Sequence, residues 1–257
     1  MNNGYEYYYL FGLDIPLEQY GLGRIKQLKI IDYLSKDVDI DNFYMPFVMN
    51  EIMIGQLEDS KLGYELKDTL GSLTFLLTNC MNANKLEFIN MLLSNLKVLY
   101  RTDNVKLSNN LTILIEDTIE LSNDNFDMLC SVVLDLFKID KSKLKFDKPN
   151  KEVDPITARF EELRRKHKEK VGSKKNSIDL TDIINIIIHS NEGNLNYNNV
   201  LNMTIYQIKN TYETLSIKES YETMIQYKLS QKFDVKEDVK SWYTKKIVKS
   251  SSINEGS

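Results

Sequence analysis

In Met203-Thr204-Ile205-Tyr206-Gln207-Ile208, Thr204 followed three residues later by Gln207 has the form of a capping box, in which each side chain satisfies a backbone N–H the other leaves open. A helix is therefore predicted to begin at Ile205. Apolar residues then recur at Ile205, Ile208, Tyr212 and Leu215, the spacing of one helix face. Beyond Leu215 the stripe moves. Continuing it would bury Glu219 and Glu222, whereas Ile217, Tyr221, Met224, Ile225 and Leu229 lie on nearly the opposite face. Ser216 with Glu219 has the form of a second capping box, so a break or sharp bend is predicted there. Asp234 with Glu237 has the form of a third, opening a short helix with Val235, Val239 and Trp242 on its buried side. Three short helices in succession are expected.

Upstream of this stretch, Leu180, Ile183, Ile184, Ile187 and Ile188 share one face of a helix from about Asp179 to His189, although the isoleucine content also suits a strand. An Asn-rich loop from Asn191 to Asn199 connects the two. Asn150 to Pro155 breaks the pattern with polar residues and Pro149 and Pro155, and Asp154-Pro155 is an N-cap followed by proline at the first helical position. The helix expected after it is basic, with eight Lys or Arg against three Glu in residues 159–175. Glu161 with Arg165 and Glu162 with Lys166 are favourable four-residue pairs.

In the front half, Tyr7-Tyr8-Tyr9-Leu10-Phe11, the turn residues of Gly12 to Pro16, and the alternation from Arg24 to Leu28 predict two short strands in a hairpin. A helix-like run starts at Ile30 and stops at the acidic stretch Asp37 to Asn42. Residues 43–100 then show helical spacing in three groups, Phe43 to Ile52, Leu66 to Leu77 and Leu86 to Leu99. Leu111 to Leu121 is rich in β-branched residues around Glu116-Asp117, a second hairpin, and Ser122 to Asp127 supplies caps for a helix through Phe137. The fold class expected is predominantly α-helical (α+β). An acidic N-terminal helical domain with one or two β-hairpins covers residues 1–150, a basic connector helix 151–176, a C-terminal multi-helix module 177–247 and a disordered tail 248–257.

A chain of 257 residues can bury a sizeable core. Its composition, 42% apolar and 27% charged, is that of a soluble globular protein. No secretion signal or membrane span is expected from the polar start and the lack of long apolar runs. Cys80 and Cys130 stand in apolar surroundings and read as buried free thiols. The net charge of -4 divides unevenly: residues 1–150 hold 15 basic against 22 acidic side chains, giving -7, and the remainder 18 against 15, giving +3.

The motifs of common chemistries fail on context. Gly21-Leu22-Gly23-Arg24-Ile25-Lys26 starts like a dinucleotide fingerprint but has lysine in place of its third glycine and strand-like sequence after it. Asp37, Asp39 and Asp41 start like a calcium loop, yet Asn42 stands where the glycine belongs and Val48 where a bidentate glutamate belongs. His167 and His189 lack the companions of a metal site or a triad. Neither catalysis, nor a metal, nor a cofactor is therefore expected. Arg164, Arg165, Lys166, Lys168, Lys174 and Lys175 could contact phosphates, but the interleaved Glu residues and the acidic chain favour a solvated connector over a nucleic-acid-binding regulator.

Three segments carry a resemblance. Gly21-Leu22-Gly23-Arg24-Ile25 with Leu28 and Tyr33 is the first, and Asn125-Phe126-Asp127 after a strand pair is the second. The third runs from Ser177 to Ile184, resumes at Leu201 to Ile208 and ends in Val239-Lys240-Ser241-Trp242. In order and spacing these resemble the tail assembly chaperones encoded in the tail modules of phages and prophages of Gram-positive bacteria. Residues 43–100 have no counterpart in the resemblance. It implies a non-enzymatic protein that binds the tape measure protein, with the tail tube protein as a further partner, in the host cytoplasm while the tail assembles. It supplies no catalytic residues, and self-association into a homo-oligomer is compatible with it. Helix-in-groove recognition of such a client would fall to Tyr206, Tyr212, Tyr221, Met224, Tyr227 and Trp242. The alternative is a structural tail or baseplate adaptor retained in the virion.

Overall fold

The computed structural model describes residues 4–36, 38–57, 60–140, 178–190 and 195–230. The basic connector, the 248–257 tail and the expected last helix with Trp242 lie outside the described residues. Within them the fold is predominantly helical, with two small antiparallel sheets.

The first aromatic run is a helix, α1 (Glu6–Phe11), which corrects the expected strand. Gly12, in the left-handed region at φ 65°, closes it by donating to the Tyr8 and Tyr9 carbonyls. The helix buries Tyr5 and Tyr9. The first hairpin forms one step later: β1 (Ile15–Pro16) pairs with β2 (Arg24–Ile25) across a 3₁₀ turn, Glu18–Tyr20. Gln27 ties hairpin to helix, its side-chain amide donating to the Tyr8 and Leu13 carbonyls at 2.6 Å each.

Four helices come after α2 (Ile30–Ser35): α3 (Met45–Gln56), α4 (Ser60–Leu70), α5 (Ser72–Asn82) and α6 (Leu86–Tyr100), within the region of helical periodicity. A three-stranded meander comes next, β3 (Val105–Leu107), β4 (Ile113–Ile115) and β5 (Ile119–Leu121). The last two are the expected second hairpin, turning through Glu116 and Asp117 at positive φ. Helix α7 (Asn123–Leu136) starts at Ser122, whose hydroxyl accepts from the Asp124 N–H at 3.3 Å. Helix α8 (Leu180–His189) is capped by Asp179, settling the helix-or-strand alternative, and α9 (Tyr197–Leu201) begins inside the stretch expected to be an Asn-rich loop.

Helix α10 (Ile205–Leu229) begins at Thr204 as expected, with the Gln207 N–H to Thr204 Oγ1 at 3.2 Å and the Thr204 N–H to Gln207 Oε1 at 2.9 Å. It does not break at Ser216. Neither glycine nor proline occurs between Ile205 and Leu229, so nothing interrupts the backbone ladder. Ser216 accepts at its carbonyl from the Ser220 hydroxyl at 2.7 Å, as a mid-helix residue does. Lys218 and Glu222 form a four-residue pair at 3.8 Å. One long helix thus carries both apolar stripes, on opposite sides.

The core joins the front half of the chain to its later described helices. Phe43 and Phe137 stack at 5.3 Å with Tyr33 edge-on to both, and Ile183, Ile187, Val200, Ile205 and Ile208 belong to the same buried cluster. Cys80 and Cys130 are both buried, and neither is in a disulfide. Burial pushes the Cys80 thiol up, as for a structural cysteine.

Candidate partner-binding surface

The start of α10 is held by backbone as well as by apolar contact. Lys29 and Thr204 form an isolated antiparallel bridge, and the Ile30 N–H donates to the Met203 carbonyl at 3.0 Å. Gln207 serves twice. Its oxygen closes the capping box, and its amide donates to the Leu10 carbonyl of α1 at 3.0 Å. One turn on, Lys138 reaches from the end of α7 to Glu213 at 2.6 Å and Asn210 at 3.3 Å, and lies over the Tyr206 ring at 5.1 Å from its centre. Lys209 donates to the Phe137 carbonyl at 2.9 Å, and burial holds its ammonium below the ordinary lysine value.

The candidate residues on α10 therefore divide. Tyr206 packs on Tyr9 at 5.2 Å, and burial pushes its phenol up. Tyr212, with Leu215, packs against the core from a half-buried position. Both fasten the helix to the body of the protein. Beyond Leu215 the situation changes: Ile217, Tyr221, Met224 and Ile225 are half-buried, Tyr227 and Leu229 are exposed, and none of them is packed against the core cluster. At 100° per residue, Tyr221, Met224 and Tyr227 fall on one side, the side of Tyr206 and opposite Ile208. The structure brings these three together; Trp242 lies outside the described residues.

A second apolar feature escaped the sequence. A groove of about 610 Å³ opens between α2, the Val38–Asp41 turn, α8 and α9, lined by Ile30, Leu34, Val38, Leu180, Ile184 and Leu201 among others. Its walls come from segments far apart in the chain, so no local periodicity could announce it. Exposed Leu34 and Tyr197 were the available signals, and each reads alone as an ordinary surface residue.

Gly21 and Asp39, from the two motifs that failed on context, have local structural roles. Gly21, at φ 70°, caps the 3₁₀ turn. Asp39 folds back on its own turn, accepting from the Asp41 and Asn42 N–H groups at 3.1 and 3.3 Å. Among the described residues no group of three or more His, Cys, Asp and Glu is placed to hold a metal, and no helix is long and apolar enough to cross a membrane.

Geometry alone defines a helical α+β protein whose last described helix carries, beyond Leu215, half-buried and exposed apolar residues outside the core cluster. Comparison adds a similarity over part of the chain: residues 172–247 match the family model described as the YomV second domain, of a phage-derived protein family. No curated protein and no solved structure matches the chain.

Proposed function

We propose that this protein is a non-enzymatic phage tail assembly chaperone that binds the tape measure protein in the host cytoplasm while the tail tube is built. The observation that carries the reading is the distal part of α10, where Tyr221, Met224 and Tyr227 share one side of the helix beyond Leu215, its last residue packed against the core cluster. A long helical client exposes a repeating apolar stripe. A helix bearing aromatic and thioether side chains can cover such a stripe because these groups supply contact area and adapt to irregular surfaces. The similarity of residues 172–247 to a phage-derived domain family supports the phage setting.

The test is co-expression of the tape measure protein of the same tail module with this chain or with its Tyr221→Ser/Met224→Ser variant. The client stays in the soluble fraction with the native chain and precipitates with the variant. Equal client solubility with both overturns the assignment to this face. Stoichiometric presence of the chain in purified virions overturns the chaperone reading in favour of a tail or baseplate adaptor.

A further inference from the structure

The groove between α2, the Val38–Asp41 turn, α8 and α9 is separate from the distal face of α10 and has its own electrostatic character. Its floor and walls are aliphatic, with Val200 fully inside and Leu34 and Tyr197 standing 60% and 55% exposed at the rim. Exposed side chains of this size, gathered beside buried ones in a concave surface, mark a place where another apolar surface is accommodated. Among the described residues the only charged side chain lining it is Asp41. Asp39 precedes it in the same turn, and Asp179, the cap of α8, adjoins the lining residue Leu180. None of these three carboxylates is ion-paired among the described residues. Lys209 is near enough to feel the charge of Asp41, but its ammonium donates to the Phe137 carbonyl.

The polar fixtures of the walls are already used internally. Asp179 and Asp182 cap each other's backbone, with the Asp182 N–H to Asp179 Oδ1 at 2.8 Å, and the Tyr197 hydroxyl donates to Asn185 at 3.2 Å. What the groove still offers an occupant is aliphatic surface inside and negative charge at its rim. The front half of a second copy, with a net -7, would meet the rim with like charge, whereas its residues 159–175, eight basic against three acidic, carry the complementary charge; the dimer outcome below reads that case.

We propose that this groove docks a basic amphipathic helix from another polypeptide, with aliphatic side chains at i, i+4 and i+7 seated on Leu34, Ile184 and Leu201 and flanking Lys or Arg beside Asp39, Asp41 and Asp179. This surface is distinct from distal α10 and does not depend on the chaperone reading.

The full-length protein would be titrated into two fluorescein-labelled helical peptides of about 18 residues, a length that can hold a helix once seated. The two share a leucine stripe; one is flanked by Lys and Arg, its twin by Glu. The basic peptide binds at least about tenfold tighter, and the difference shrinks as salt is raised. Leu34→Gln and Tyr197→Ala, both at exposed positions and checked for unchanged circular dichroism, weaken the basic peptide by about tenfold or more. Asp41→Asn narrows the gap between the twins. Equal binding of both peptides, or indifference to the two rim variants, overturns the proposal. So does a concentration-dependent dimer that Leu34→Gln dissociates while neither peptide binds, which would assign the groove to a second copy.

Discussion

At the scale of single residues, the most consequential pair is Gly71 and Asn123. Gly71 links α4 to α5 at φ 82°, and a Cβ there would overlap the Asn123 side chain. That side chain, on the first residue of α7, caps a helix elsewhere in the sequence. Its oxygen accepts from the Leu73 and Thr74 N–H groups at 3.0 Å each, and its amide donates to the Leu70 carbonyl at 3.1 Å. Asn123→Ala is expected to cost about 1 kcal/mol, as loss of an exposed cap does. Gly71→Ala is expected to cost about 3 kcal/mol, combining left-handed strain with the overlap. Urea denaturation of the double variant checks the mechanism: it should lose less than the sum, because Asn123→Ala removes the atoms that a new Cβ would meet. Strict additivity would contradict the contact. A second residue-scale effect concerns the buried phenols. Burial raises Tyr33 and Tyr100, and burial with the Asp135 carboxylate raises Tyr9. With folded values above the unfolded value of about 10, the unfolded chain gives up these protons first. Their contribution is complete below about pH 10 and is lost above it. Lys209, lowered by burial, acts in the opposite sense as it deprotonates, but the raised phenols, Tyr206 among them, outnumber it. Urea midpoints should therefore fall as pH is raised from about 9 to 11, and the fall should be shallower in Tyr33→Phe.

At the scale of elements, the question is why α10 runs through a point where its sequence resembles a helix start. Ser216 and Glu219 have capping-box chemistry, but a cap stabilises a helix only where the preceding backbone has left the helical region. Here nothing forces it out, and breaking the ladder would strand backbone groups that continued helix satisfies. The change of apolar face, read as the end of one helix, is instead a change of which side faces the core. Ile217→Pro separates the two readings. A helix starting after Ser216 would accept proline at its first position, whereas a continuous helix loses a rung and suffers a ring clash costing about 3 kcal/mol. The variant should lose ellipticity at 222 nm, with Ile217→Ala as the control for the side chain. Elements with local signals were legible. Thr204 and Gln207, Ser122 and the β-branched run around Glu116-Asp117 all act over a few residues, and each gave the element it announced. The Tyr7-Tyr8-Tyr9 run misled because aromatics suit either a pleated surface or a helix pressed on a core, and the choice was made by Gly12 and by the burial of Tyr9. Strand β3 was invisible for the same kind of reason: Val105-Lys106-Leu107 is too short to show a period and is a strand only because Ile113 to Ile115 lies beside it.

At the scale of the molecule, the C-terminal segment is built into the front of the protein. The expected connector, 151–176, lies outside the described residues, whereas the docking of α8, α9 and α10 lies within them. Thr204 bridges Lys29, Gln207 holds Leu10, Lys138 holds Glu213 and Asn210, and Ile183, Ile187, Val200, Ile205 and Ile208 share one core with Tyr9, Ile30 and Tyr33. This contact network is long-range in sequence, so periodicity carried no sign of it; the candidate residues Tyr206 and Tyr212 were legible as apolar but not as parts of the docking. The consequence for function is practical. A truncation ending near Asn199 is a natural way to ask whether the C-terminal helices bind a client, yet it would also uncover the front of the core. Removing Val200, Ile205 and Ile208 from the buried cluster forfeits about 1.5 to 3 kcal/mol for each side chain, on the order of 5 kcal/mol together, a large part of a typical domain's stability. A chain ending at Asn199 is therefore expected to unfold at a much lower urea concentration, with the tyrosine fluorescence of the front half reporting the loss. Because Trp242 is absent from that truncation, this signal is free of tryptophan emission. By contrast, Tyr221→Ser/Met224→Ser removes two half-buried side chains outside the core cluster and should lower the midpoint by less than the truncation does. Loss of client solubility in the truncation alone would therefore report unfolding, whereas its loss in the distal double variant, at a urea concentration where that variant is still fully folded, would report binding.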